Sequence, residues 1–209
     1  MTFGLVKHNN NSISAITTPG SLTLGKMTLI KEQTASSSSS ISFVDGSSSV
    51  VLDNTYPVYV FKFIDIHPSN DGVAFQFNLT SDGGSNYNVT KTSTFIEAFS
   101  FENGASAEIG YGSSHDLAQG TGSQRLTSNQ GNGSDECGAG TLFLFNPYSS
   151  TFVKHFFSNL SSYYFNSYLS NDLCAGYANT TSAIDGVKFE FSAGTIESGT
   201  IKLYGIKGS

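Results

Sequence analysis

Residues 56–81 read Tyr-Pro-Val-Tyr-Val-Phe-Lys-Phe-Ile-Asp-Ile-His-Pro-Ser-Asn-Asp-Gly-Val-Ala-Phe-Gln-Phe-Asn-Leu-Thr-Ser, and their pattern decides the fold. In the first half the even positions Val58, Val60, Lys62, Ile64 and Ile66 and the odd positions Tyr59, Phe61, Phe63 and Asp65 are both largely apolar. A strand buried on both faces reads this way. In the second half Val73, Phe75, Phe77 and Leu79 alternate with Ala74, Gln76, Asn78 and Thr80, which predicts a strand with one wet face. Between them, His67-Pro68-Ser69-Asn70-Asp71-Gly72 joins a proline that cannot donate to a ladder with an Asn-Asp-Gly run tolerant of positive φ. That chemistry predicts a hairpin connection, and so an antiparallel β domain.

The 209 residues fit one sandwich domain with decorations, large enough to bury about 70% of its unfolded surface without disulfides. Cys137 and Cys174 lack metal-ligand spacing, and the start of the chain has no apolar signal-peptide core. The expectation is free thiols in a chain made in a reducing cytoplasm. Sequons such as Asn78-Leu79-Thr80 and Asn179-Thr180-Thr181 then carry no sugar. Only 12% of residues are charged, the net charge is −6 and Arg125 is the sole arginine. No cationic face exists to replace counterions on a nucleic acid. No apolar run approaches the roughly 18–20 residues of a membrane-spanning helix, so a soluble protein is expected.

Outward from residues 56–81, the chain keeps a β rhythm. Residues 1–20, with Asn9-Asn10-Asn11 and Pro19-Gly20, read as a flexible arm that either docks on a neighbouring subunit or is simple terminal disorder. The alternation across residues 22–31 slips phase at Gly25, the mark of a bulge. Residues 87–101 form a mostly buried strand with Glu97 on the face of Phe95, Phe99 and Phe101. Residues 102–140 hold nine of the 22 glycines and sparse hydrophobes, a long connection with little structure and the first place to seek a partner contact. Residues 141–145 read as a central strand, residues 152–157 and 163–169 as two aromatic strands parted at Ser158-Asn159, and residues 187–191 and 200–207 as the last two. The expectation is nine or ten strands, no helix, and an all-β single antiparallel two-sheet sandwich, jelly-roll-like. Its last strand should lie near residues 24–30.

The chemistry-bearing residues are scattered. Ser113-Ser114-His115-Asp116 sets a hydroxyl, an imidazole and a carboxylate side by side, but adjacent loop residues diverge, whereas a working triad converges from distant positions. His8, His67, His115 and His155 show no zinc spacing. Carboxylates from separate strands are compatible with glycoside cleavage by spacing, yet tryptophan is wholly absent. Asp71, Asp82 and Asp135 match no calcium-loop repeat. The expectation is no enzyme, no cofactor and no metal. Tyr163, Tyr164 and Tyr168 admit three readings: core, subunit interface, or a platform for sugar rings. The candidates for partner contact are Tyr111, His115, Leu117, Arg125, Tyr163 and Tyr164.

Several phrases carry a resemblance. Tyr-Val-Phe-Lys-Phe-Ile-Asp-Ile-His-Pro-Ser (59–69), Gly-Ser-Asn-Tyr-Asn-Val-Thr-Lys-Thr-Ser-Thr-Phe (84–95), Leu-Phe-Asn-Pro-Tyr-Ser-Ser-Thr-Phe-Val-Lys-His-Phe (144–156), Ala-Gly-Tyr-Ala-Asn-Thr-Thr-Ser-Ala-Ile-Asp-Gly-Val-Lys-Phe (175–189) and Ser-Gly-Thr-Ile-Lys-Leu-Tyr-Gly-Ile-Lys (198–207) resemble structural proteins of tailed bacteriophages from marine bacteria. The resemblance implies a non-enzymatic virion part made in the host cytoplasm. The expected part is first a capsid decoration (cement) protein that binds the major capsid protein, with a tail or tail-fibre component as the alternative; in that alternative Tyr111, or Tyr163 and Tyr164, would be ring platforms for host-surface glycan. Symmetric virion positions favour closed homo-oligomers, with trimers first.

Overall fold

The computed structural model describes residues 27–207, and within them the chain forms twelve strands and no helix. In chain order they are β1 (Met27–Thr34), β2 (Ile41–Val44), β3 (Val58–Pro68), β4 (Phe75–Thr80), β5 (Lys91–Phe101) and β6 (Ala107–Tyr111), followed by β7 (Gln124–Arg125), β8 (Gly138–Phe145), β9 (Lys154–Tyr164), β10 (Tyr168–Ala178), β11 (Gly186–Phe191) and β12 (Ile196–Ile206). An eight-stranded sheet in the order β1-β12-β3-β8-β9-β10-β5-β6 packs against a four-stranded sheet in the order β2-β11-β4-β7. Every pairing is antiparallel. The protein is a two-sheet β-sandwich.

The two strands legible in residues 56–81 exist, but they are not a hairpin. β3 lies inside the large sheet and β4 inside the small one, so residues 69–74 carry the chain from one layer to the other. Gly72 does hold positive φ, at 66°. Turn chemistry reverses a chain without choosing its next hydrogen-bond partner. The expected meeting of first and last strands holds: Met27 stands opposite Ile206 and Thr34 opposite Thr200. A bulge falls between Leu29 and Lys31, while the slip read at Gly25 and the arm at residues 1–20 lie outside the described residues.

A second correction concerns β9. It runs unbroken through Ser158 and Asn159, because small Ser158 faces the interior, fully buried, and Asn159 faces out. The reversal comes at residues 165–167, where Ser167 has φ 61° and donates its N–H to the Tyr164 carbonyl at 3.0 Å. β9 and β10 are therefore one long hairpin, paired from Tyr164–Tyr168 to Lys154–Ala178.

The core sits where the apolar inner faces meet. Phe61 and Phe63 of β3 present their rings to Phe189 of β11 at centroid distances of 5.0 and 5.1 Å, edge to face, and Phe63 meets Phe75 of β4 at 5.2 Å. Each such pair adds about 0.5–1.5 kcal/mol beyond area burial. Gly140 lets β8 and β9 close up, since a Cβ there would lie 2.7 Å from the Leu160 Cα.

The supposed wet face of β4 is covered. Thr80 is fully buried and Asn78 nearly so: Asn78 Nδ2 donates to the Thr121 carbonyl at 3.1 Å and its Oδ1 accepts from Lys91 Nζ at 2.6 Å, while the Thr80 hydroxyl donates to Asp82 Oδ1 at 2.6 Å in the turn after β4, and β7 pairs along the edge of β4. The glycine-rich segment is thus a folded cover rather than an unstructured connection. It contains β6, β7 and the start of β8, and its Gln124, Leu126, Thr127 and Gln130 are fully buried.

Candidate functional site: the outer face of the large sheet

Antiparallel register sends directly opposed residues to the same face, so the outer surface of the large sheet can be read row by row. One row runs Leu29, Tyr204, Val60, Phe143, Phe157, Ala175 and Thr94. Its neighbour runs Met27, Ile206, Val58 and Phe145. Together they make an apolar band in which Met27, Leu29, Phe145 and Phe157 are 41%, 49%, 40% and 40% exposed. Phe143 stacks on Phe145 at 6.3 Å and tilts against Phe157 at 6.5 Å. The connection after β8 adds exposed Tyr148 and Phe152 at the same end of that strand. The next row is polar where it begins, Glu32, Lys202, Lys62, Thr141 and Asn159, with Lys202 Nζ 3.0 Å from Glu32. It ends in Leu173, Ile96 and Tyr111.

Beyond that row the outer face holds a groove of about 550 Å³. Tyr163, Leu169 and Ser100 stand in one line across β9, β10 and β5, and Ala139 and Ser161 pair across β8 and β9 beside them. Glu102 and Asp135, both exposed, add carboxylates. The Tyr163 hydroxyl donates to Glu102 Oε2 at 3.3 Å. The Tyr163 backbone is pinned on both sides, its N–H donating to the Cys137 carbonyl at 3.1 Å and its carbonyl accepting from Gly131 at 3.0 Å.

A second polar cluster lies on the inner face, where the large sheet runs past the small one. Asp172 and Glu97 are opposite each other on β10 and β5, and Ser170 Oγ lies 3.0 Å from one carboxylate and 3.2 Å from the other. Burial, with the Glu97 charge adding to it, pushes the Asp172 carboxyl up to about 7. Two close carboxyls with one raised pKa are what glycoside hydrolysis needs. Here, however, Asp172 is fully buried and accepts from the Ser128 N–H at 2.7 Å and the Ser128 hydroxyl at 3.0 Å. The adjoining cavity is only about 110 Å³, below the roughly 300 Å³ of small-ligand sites. The pair tethers the loop and leaves no room for a sugar.

The six residues singled out in the sequence fall into three neighbourhoods. The Tyr111 hydroxyl donates to the Asp116 carboxylate. His115 packs edge-on against Phe95 at 5.0 Å, its Nδ1 is without a hydrogen-bond partner among the described residues, and burial lowers its pKa. Asp116 therefore serves Tyr111, not His115, and residues 113–116 form no relay. Leu117 is stitched to β5 by two 2.9 Å bonds with Ser93. Arg125 donates to Asn129 Oδ1 at 3.2 Å, and Asn129 donates to the Tyr164 hydroxyl at 3.4 Å. Tyr164 turns inward and stacks on Tyr168 at 4.1 Å. Tyr163 turns outward into the groove, so strand alternation sends these neighbouring rings to opposite faces.

The other groove residues, Glu102, Asp135, Ala139, Ser161 and Leu169, were not singled out. Only the pairing of Tyr163 with Leu169 had a local signal, the three-residue turn between their strands. Both cysteines are free. Among the described residues no cluster of His, Cys, Asp or Glu is placed to hold a metal, and no helix is long and apolar enough to cross a membrane. Comparison with family models, with curated proteins and with solved structures found no match.

Proposed function

We propose that this β-sandwich is a non-enzymatic structural component of a virus particle, of the tailed-phage kind its phrases resemble. In this reading it is a capsid decoration protein that forms a homo-oligomer through the apolar band and seats on the major capsid protein. The apolar band, with Met27, Leu29, Phe145 and Phe157 exposed and Phe143 half-buried between the two phenylalanines, carries the reading. Contiguous apolar surface of this kind is costly in water and marks an interaction face. Aromatic residues are the side chains most enriched where proteins meet. The crowded inner carboxylates, with no substrate space beside them, support a non-catalytic role. A closed ring is the expected arrangement at a symmetric particle position, a trimer at a capsid three-fold.

Light scattering of the full chain tests the assembly. A trimer is expected, and Phe143→Ser combined with Phe157→Ser should give a monomer with unchanged far-ultraviolet circular dichroism. A wild-type monomer at every concentration, or a variant that still assembles, overturns the interface. Mixing the protein with undecorated phage heads and imaging them tests the location. Coated heads support decoration, and bare heads rule it out in favour of the tail.

A further inference from the structure

We infer that the groove at the far end of the outer face is a binding site for a short, neutral saccharide, recognised by side chains alone. The groove lies across β8, β9, β10 and β5, whose backbone groups are already consumed in the sheet. An extended peptide cannot add itself there as a strand, since that mode needs a free edge. What the groove offers is an aromatic ring, apolar floor and oriented acceptors. Tyr163 supplies the ring, and the hydrogen bond from its hydroxyl to Glu102 holds that ring in place, so less side-chain freedom is lost on binding. Leu169 and Ala139 supply the floor, both exposed on the outer face. A sugar ring has this same division, with C–H faces that stack on aromatic and aliphatic surface and hydroxyls at its rim.

Charge narrows the ligand further. The groove is lined by two carboxylates, Glu102 and Asp135, and by no lysine, arginine or histidine. A sialylated, uronic or sulfated glycan would bring anionic groups to anionic walls with nothing to pair them. Carboxylates instead accept from vicinal hydroxyls, and ionised acceptors make the stronger hydrogen bonds. Glu102 is held for that task by the hydroxyl of Tyr163. The volume of about 550 Å³ lies within the roughly 300–1,000 Å³ range of small-molecule sites. Ala139 is four residues from Phe143 along β8, about 13 Å at strand rise, so contacts across the apolar band leave the groove open. The inference is independent of the assembly proposal.

Calorimetric titration of the full chain with maltotriose, mannotriose and N,N′,N″-triacetylchitotriose, with sialyllactose as the anionic probe, tests it. At least one neutral trisaccharide should bind with a sub-millimolar Kd and sialyllactose should not. Tyr163→Ala should weaken binding about tenfold or more, while Tyr163→Phe, which keeps the ring, retains most of it. Because Tyr163→Ala removes a partly buried ring, Ala139→Trp provides a second variant: it fills the groove from an exposed position and should abolish binding with the scattering mass unchanged. The inference is overturned by no neutral binding at about 10 mM, by equal binding of sialyllactose, or by affinity indifferent to Tyr163→Ala and Ala139→Trp. A monomer that binds sugar would refute the assembly alone, and an oligomer that does not would refute the groove alone.

Discussion

Asp172→Asn should flatten the pH dependence of stability between about pH 5 and about pH 8. Asp172 is fully buried, and burial first, then the Glu97 charge, raises its carboxyl from 3.8 to about 7 against the opposing pull of Ser128 and Ser170. Between those values the unfolded chain has lost the proton and the native protein keeps it. Stability is therefore full below the ordinary value, falls as pH rises through about 7, and is flat above. Each pH unit is worth about 1.4 kcal/mol, so the two units between about pH 5 and about pH 7 remove about 3 kcal/mol. With a urea slope of about 2.5 kcal/mol/M, the midpoint should drop by about 1 M. His115 works in the opposite sense, because burial lowers its pKa and the native state binds fewer protons there. It is common to both proteins and cancels in the comparison. Asparagine keeps the tether, its Oδ1 accepting from the Ser128 N–H and its Nδ2 donating to the serine hydroxyls. Urea unfolding of the full chain at the two pH values should show the wild-type midpoint falling by about 1 M relative to the variant's, so that the variant gains on the wild type as pH rises. Equal shifts in the two proteins, or a variant weaker at every pH, would refute the reasoning.

Lys91 tells the mirror story on the alkaline side. Its fully buried ammonium donates to Asn78 Oδ1 at 2.6 Å and the Val89 carbonyl at 2.8 Å, with no carboxylate partner among the described residues, and burial lowers its pKa from 10.5 to about 8. Wild-type stability should rise as pH climbs from about 8 to about 10.5, and Lys91→Met should lack that rise in thermal melts. Phe189→Ala removes the ring shared by Phe43, Phe61, Phe63 and Phe75 and should cost about 3–5 kcal/mol by urea unfolding. Gly140→Ala presses a methyl onto the Leu160 backbone and should cost at least about 1–3 kcal/mol. Thiol titration of the native protein should count one reactive group, half-buried Cys137, and two after denaturation, when Cys174 leaves the core.

Much of the fold was legible because strand faces are written in a two-residue period. The apolar odd positions of β3 and the alternation of β4 and β11 could be read along the chain, and the meeting of the first strand with the last followed from the usual arrangement of two-sheet sandwiches. The site was less legible. Tyr163 and Tyr164 stood out as ring-bearing residues, but their separation onto opposite faces follows from β9 running through Ser158-Asn159. A local polar pair looked like a break there because nothing in it says that Ser158 packs inward. Glu102, Asp135 and Leu169 come from three separate segments and share a groove only through register.

By itself the sequence determined that the chain is built of antiparallel strands, where most of them run, and the low charge of its surface. These are local properties, set by which side chains sit at alternate positions and which turns their neighbours allow. Tertiary structure alone decided that β3 and β4 part into different sheets, that the glycine-rich segment folds down over Asn78, and that Asp172 meets Glu97 and Ser128 out of water. Backbone hydrogen bonds are alike at every residue, so a strand's pattern states which face it buries and is silent on which strand it pairs with. That choice is made by the packing of the whole sandwich, and the apolar band and the groove are consequences of it.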